Sequence, residues 1–129
     1  MPIKNIPFDF VLDTLLPVHP QIKPMFGCYG VYVGEKIMLI LRKRTNHIES
    51  NGIWVATKTE HHKSLKKEFP SLCSISVLSE GKSETQWQMV SMDNDNFESD
   101  AERLCELILK NDERIGNIPK KKKSKAIQK

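Results

Sequence analysis

The sequence predicts a two-layer α+β domain, built from an antiparallel five-stranded sheet with helices on one face. Three observations lead to this prediction. Strand-like apolar runs alternate with segments whose apolar residues recur at helical spacing. Short polar turns join consecutive strands, which favours antiparallel pairing. Helices on one face complete the two layers, and the expected element order is α-β-β-β-α-β-β-α.

The length and the charge distribution separate a domain from a tail. The 129 residues are a one-domain length, and we expect a domain at 1–116 and a lysine-rich, disordered tail at 117–129. The tail holds six of the 20 basic residues and no acid, which leaves 14 basic against 16 acidic residues, a net charge of −2, in the rest. The basicity therefore belongs to the tail, and overall charge does not make the domain a nucleic-acid binder.

The first helix is expected to begin near Pro7, which suits a first helical turn, and to end at Pro17. One face of this helix carries the apolar residues, which are Phe8, Val11, Leu12, Leu15 and Leu16. Pro20 and Pro24 then keep residues 18–23 extended or turning.

Three strands are predicted next. The first spans residues 25–33 and contains Gly27 and Gly30, which indicate a bulge or a close backbone approach. The second spans residues 36–42, and its centre is apolar on both faces, which is typical of a central strand or a dimer contact. A short third strand follows at residues 53–56.

The second half predicts two more helices and two more strands. Thr57 and Glu60 have capping-box spacing for a helix that Pro70 ends. Alternating strands are expected at 73–77 and 85–89, with Gln88 facing outward in the second. The last helix is expected to bury one face, which comprises Phe97, Ala101, Leu104, Cys105 and Ile108.

Residues 24–32, PMFGCYGVY, resemble the Met-Phe-Gly-Gly-x-Gly-aliphatic signature of the N-terminal domain of TfoX, a bacterial competence regulator. The matching positions are Met25, Phe26, Gly27, Gly30 and Val31, whereas Cys28 replaces a glycine. The resemblance extends in element order over roughly residues 8–115. It implies a fold similar to that of secretion chaperones and a stand-alone domain without an assigned activity. Competence regulation is not transferred, because a lysine tail stands where TfoX proteins have a second domain.

The glycines and the histidines are candidates for ligand sites. Gly27 and Gly30 are compatible with a phosphate cradle, but such loops open a helix, and here a second strand follows, which favours a structural bulge. His61 and His62 are adjacent on a helix and point about 100° apart, so they do not easily share a metal. We expect no metal and no cofactor.

Nucleophilic catalysis is also not predicted. Cys28, Cys73 and Cys105 are expected on apolar faces, where burial raises the pKa of a thiol. Ser74 and Ser76 lie on an outward strand face without a glycine elbow. We therefore assign no catalytic residue.

Two basic groups are expected on the folded surface. Arg42, Lys43 and Arg44 follow the second strand, and the second helix exposes Lys63, Lys66 and Lys67. They would form one anion-binding patch if the helix lies near the end of that strand, and otherwise they are solvated faces. The tail adds lysines for nucleic-acid contact without base readout, which are Lys120, Lys121, Lys122 and Lys123.

These observations predict a cytoplasmic, non-enzymatic binding or regulatory module. A protein partner or a second copy would bind through the sheet, and nucleic acid through the tail. The alternative is a small-ligand protein or enzyme with a site near the Gly27–Gly30 bulge, and a chaperone-like homodimer is a third hypothesis. No membrane partner is expected, because no run approaches the roughly 20 apolar residues of a membrane span.

Overall fold

The computed structural model describes residues 6–25, 27–73, 75 and 87–118. The helices are α1 (Phe10–Thr14), α2 (Thr59–Glu68) and α3 (Phe97–Leu109), with short 3-10 turns at Leu16–Val18 and Ile48–Ser50. The strands are β1 (Gln21–Met25), β2 (Cys28–Val33), β3 (Lys36–Arg42), β4 (Gly52–Ala56) and β5 (Trp87–Ser91).

The five strands form one antiparallel sheet in the order β1-β2-β3-β4-β5, so every strand pairs with its neighbours in sequence. All three helices contribute to a core on one face of this sheet, where Val11, Leu65 and Leu104 pack with Leu39 and Val55. The predicted α+β architecture with a five-stranded antiparallel sheet is therefore confirmed.

The predicted first strand is in fact two strands. Met25 at the end of β1 pairs with Cys28 at the start of β2, so the chain reverses between them. Gly27 lies in this turn with a φ of 77°, a left-handed conformation that glycine adopts without steric cost. The prediction of a bulge at Gly27 is therefore wrong, because Gly27 belongs to a turn and not to a strand.

The two strands predicted after α2, at 73–77 and 85–89, differ from those in the structure. Cys73 pairs with Met89 through an isolated bridge at the edge of β5. The rest of the predicted strand at 73–77 lies outside the described residues except for Ile75, as does the turn at 79–83. Gln88 was expected to face outward, but it is completely buried in β5, so this strand is covered on both faces.

The opposite face of the sheet carries a second cluster that includes Ile40, Trp54 and Met89. The two clusters follow from strand alternation, with one irregularity between β2 and β3. Val31 pairs with Leu39 whereas Tyr32 pairs with Ile37, so Met38 is an extra residue in β3. This bulge places Met38 in the same core as its neighbour Leu39.

The helix boundaries differ modestly from the prediction. Pro17 does not end the first helix but sits in a 3-10 turn, and Leu16 is exposed instead of buried. Lys58 is the N-cap of α2, and Thr57 lies before it, so the expected capping box is not formed. The buried residues of α3 are the five predicted ones, because its apolar positions follow helical spacing without interruption.

The segment after α3 returns to the sheet. Asn117 and Ile37 exchange two backbone hydrogen bonds of 2.8 and 3.0 Å, beyond the predicted domain boundary at 116. The tail lysines at 120–129 lie outside the described residues. Within the described ranges, the helices are all too short or too polar to cross a membrane.

Candidate functional site

The loop between β3 and β4, residues 43–51, is organised around a buried arginine. Arg42, at the end of β3, is only 4% exposed. Its Nη1 donates to the carbonyl oxygen of His47 at 3.0 Å and to Asn51 Oδ1 at 2.7 Å, and its Nη2 donates to the carbonyl oxygen of Asn46 at 3.1 Å. One planar guanidinium therefore holds both sides of the loop.

Asn51 is the second fixed point of the β3–β4 loop. Its Oδ1 accepts the Arg44 backbone N–H at 2.9 Å, and its Nδ2 donates to the Arg44 carbonyl oxygen at 2.9 Å. The amide thus pairs with Arg44 as a neighbouring strand would. The backbone of Asn51 accepts from Met92 at 3.0 Å, which ties the loop to the segment after β5.

This network holds Lys43 and Arg44 at the surface, since both side chains are exposed. Arg44 also lies against the turn between β1 and β2, because a Cβ atom at Gly27 would be 2.7 Å from its Cζ. Arg42 was predicted to join them in contacting anions, but its burial and its hydrogen bonds to the loop show a structural position instead. The strand end therefore presents two cations, not three.

The second predicted basic group lies on α2. Lys63 and Lys67 are exposed, whereas Lys66 is half-buried. β4 begins at the β3–β4 loop and ends where the chain enters α2, so the helix starts at the opposite end of the sheet. The single patch that the sequence suggested stays a prediction.

In the part of the chain that the structure describes, side chains pack close to both family-motif glycines. Gly27 is exposed but lies beside the Arg44 guanidinium, and a Cβ atom at Gly30 would meet Tyr32, Ile37 and Met25 within 3.4 Å. Two shallow hollows of about 420 and 430 Å³ lie elsewhere and are lined by neither glycine. Phe26, another residue of the motif, is outside the described residues. These contacts favour a structural role for both glycines.

The thiols behave as their predicted positions suggest. All three cysteines fall within the described residues and form no disulfide. Burial raises the pKa of Cys105 to about 12, aided by Glu102 and Glu106. Burial likewise raises the pKa of Cys73, and that of Cys28 although Arg42 and Arg44 act against it. Raised pKa values keep the thiols protonated and poorly nucleophilic at neutral pH.

The two adjacent histidines of α2 differ in their exposure. His62 is buried in α2, whereas His61 is half-buried and lies 3.6 Å from Glu60. Within the ranges that the structure covers, no three His, Cys, Asp or Glu side chains converge on a point where a metal ion could bind.

A hollow beside the β3–β4 loop contains residues that sequence patterns did not reveal. This loop hollow has a volume of about 430 Å³, and it is lined by Lys43, Arg44, Thr45, Ile48, Asn51, Met92 and Asp93. Ile48 is 64% exposed at the loop surface. The available signal was an isoleucine within the polar run TNHIESN, where an apolar side chain has no strand or helix face to enter.

Comparisons with protein-family models, with curated proteins and with solved structures found no match.

Proposed function

We propose that this chain is a non-enzymatic binding module that contacts nucleic acid through the β3–β4 loop and the C-terminal lysines. The observation that carries the proposal is the buried Arg42–Asn51 network, which holds exposed Lys43 and Arg44 on a pinned loop. A pinned loop loses little conformational entropy when it binds. Exposed cations on such a loop can therefore contact phosphates at a small entropic cost.

The lysine-rich segment would supply the second part of the interaction. Lys120 to Lys123 are four consecutive cations, and phosphate neutralisation by lysine releases counterions irrespective of base sequence. The loop would give the contact a fixed position, and the lysines would add affinity. Because the rest of the chain is slightly acidic, we expect weak binding that is lost at high salt.

The proposed function is tested by fluorescence anisotropy with labelled single-stranded and duplex DNA over a range of salt concentrations. Replacing Lys43 and Arg44 by Gln should reduce the slope of log affinity against log salt by about 1.4 for a single strand and about 1.8 for a duplex. Replacing the four lysines at 120–123 by Gln in the full-length chain should weaken binding further.

The matched control replaces Lys58 and Lys110 by Gln, which removes the same charge from two other exposed positions. This control should leave the salt slope unchanged. Equal loss of affinity in the control and the loop variant would show a diffuse charge effect, and would contradict the assignment of the loop. Absence of salt-dependent binding by the unaltered chain would refute the proposed function.

The proposal includes a regulatory role of the TfoX N-terminal type, supported by the resemblance at Met25, Gly27 and Gly30. It also includes a cytoplasmic location, supported by three cysteines that form no disulfide, as is usual in a reducing compartment. A protein partner or a second copy of the chain remains compatible with this role. A small-ligand site at Gly27–Gly30 gains no support, because Gly30 is buried among side chains and Gly27 lies in an exposed turn beside Arg44.

A further inference from the structure

The loop hollow combines charge with an exposed apolar surface. Lys43 and Arg44 stand on its rim, and Ile48 and Met92 provide aliphatic side chains. Ile48 is 64% exposed, although the loop around it is fixed by Arg42. A single exposed aliphatic side chain is common on protein surfaces. Ile48 differs because it lines a hollow together with Met92 and two cations, a combination that suits a ligand.

A second hollow of nearly the same size provides a comparison within the molecule. It has a volume of about 420 Å³ and includes Leu16, which is 62% exposed. Its other lining residues are Leu12, His19, Pro20, Gln21 and Ile22, with no lysine or arginine. Of these two hollows, only the loop hollow combines an apolar surface with lysine and arginine side chains. It therefore complements a ligand that is both anionic and apolar.

We propose that the loop hollow holds one unpaired nucleobase of a single-stranded nucleic acid, an inference that rests on the proposed function. The base lies against Ile48 and Met92, while Lys43 and Arg44 contact the phosphates on either side. Asp93 lines the same hollow, and its carboxylate can accept a hydrogen bond from a base N–H group. A polyanion alone would be repelled by Asp93, whereas a base gives this acid a favourable partner.

The geometry distinguishes single strands from duplexes. Inside a duplex, each base is paired and stacked, so no base face is available to Ile48 unless the base is unstacked at an energetic cost. In a single strand, the bases can turn outward, and apolar or aromatic side chains then cover their faces. The loop hollow should therefore give a preference for single strands that the C-terminal lysines alone would not provide.

The experiment compares three fluorescent probes on the full-length chain: a thymidine strand of about 12 nucleotides, an abasic strand of the same length, and a duplex. The abasic strand has the same phosphates and no bases, so the difference between the two strands measures the contribution of the bases. We expect the thymidine strand to bind about fivefold more tightly than the abasic strand, which corresponds to about 1 kcal/mol.

Two variants locate the effect. Ile48→Asn should remove the difference between the thymidine and abasic strands while keeping the salt slope, because it changes no charge. Leu16→Asn is the matched control, since Leu16 is equally exposed beside the uncharged hollow, and it should keep the difference. Both side chains lie at the surface, so both variants should fold.

Equal affinity of the unaltered chain for the thymidine and abasic strands would overturn the base-binding inference, yet salt-dependent binding of both would leave the proposed function intact. A persistent difference in Ile48→Asn would overturn it as well. So would a glutamate-rich peptide that competes as effectively as a single strand of equal charge, because the hollow would then suit an acidic protein segment. Failure of every probe to bind would refute the proposed function itself.

Discussion

At the scale of single residues, Arg42 shows that residue type alone can give the wrong prediction of exposure. Arginine is rarely buried unless its donors are satisfied, so a basic run after a strand predicts three exposed cations. The acceptors that bury Arg42 come from residues 46, 47 and 51, and they converge only when the loop folds back over the strand end. Sequence spacing could not reveal this convergence, whereas it did predict the exposed Lys43 and Arg44.

The geometry of Arg42 predicts that lysine cannot replace it. Arg42→Lys keeps the charge but loses the planar fork that reaches three acceptors, so some buried oxygens lose their donor. We expect a loss of about 1 to 3 kcal/mol in the free energy of unfolding, measured by urea denaturation. The reverse exchange at the exposed neighbour, Lys43→Arg, is the control and should change stability little. Equal urea midpoints for the two variants would contradict the structural role of Arg42.

At the scale of elements, the sheet protects one of its edges. β1 is an edge strand, and Pro24 pairs with Tyr29 of β2. A proline in a sheet directs its nitrogen away from the paired strand. Within β1, alternation turns the N–H of Ile22 to the same outer side as the nitrogen of Pro24. Pro20 directly precedes the strand and also lacks an N–H. An edge with so few donors is a poor template for a further strand.

This arrangement predicts that the prolines keep the chain from associating through β1. Replacing Pro20 by Thr and Pro24 by Val restores two backbone N–H donors, one in β1 and one directly before it, and adds β-branched side chains that suit a strand. The double variant should form dimers or larger species at concentrations where the unaltered chain does not, as measured by sedimentation velocity.

The control for this experiment is Pro70→Thr, at an exposed position after α2 and away from the edge. It should leave the mass distribution unchanged. If the double variant and the unaltered chain sediment identically, the prolines are not the barrier to pairing. Association of the Pro70 variant to the same extent would point to destabilisation and not to the edge.

Elements differ in how clearly their patterns predict them. The face of α3 was predicted completely, because its apolar residues repeat without interruption. β1 was not recognised as a strand, since Pro20 and Pro24 mask the extended pattern that an edge strand tolerates. The burial of Gln88 was also missed, because alternation places a polar residue on the solvent face unless that face is covered by helices.

At the scale of the whole molecule, the class of fold was predictable and the candidate site was not. Hydrophobic periodicity and short turns determine which elements exist and how neighbouring strands pair, and these are local properties. The loop hollow draws on residues 43–51 and on residues 92–93, which are far apart in sequence. They meet because β4 and β5 are paired, so the hollow is a consequence of topology and has no local pattern.

The end of the described chain is held to the rest by a charged cluster. Arg114 donates to both carboxylate oxygens of Asp112 at 2.9 and 2.8 Å and to Ser64 Oγ at 2.8 Å, and it lies 2.6 Å from Glu68. Arg103 of α3 joins the same Glu68 at 3.1 Å. The cluster therefore connects α2, α3 and the segment that pairs with β3, and its strength affects the stability of the whole domain.

This cluster predicts a specific dependence of stability on pH. Hydrogen bonds from Arg114 lower the pKa of Asp112 below its ordinary value of 3.8, against the opposing effect of partial burial. A carboxyl group with a lowered pKa in the folded state stabilises that state above its ordinary pKa, and this contribution is lost as the pH falls through the folded-state pKa. Asp112→Asn removes the titrating group, so the stability difference between this variant and the unaltered chain should depend on pH.

We expect Asp112→Asn to lower the free energy of unfolding by about 1 kcal/mol at pH 6, a modest loss because solvent partly screens the pair. This difference should begin to shrink as the pH falls below about 4, where the carboxyl group becomes protonated in the unfolded chain, and should vanish below the lowered pKa of the folded state. Urea denaturation at several pH values measures both quantities, with Glu113→Gln, an exposed neighbouring acid, as the control. A difference that stays constant with pH would mean that Asp112 acts through its shape and not its charge, since only the charge is lost in acid.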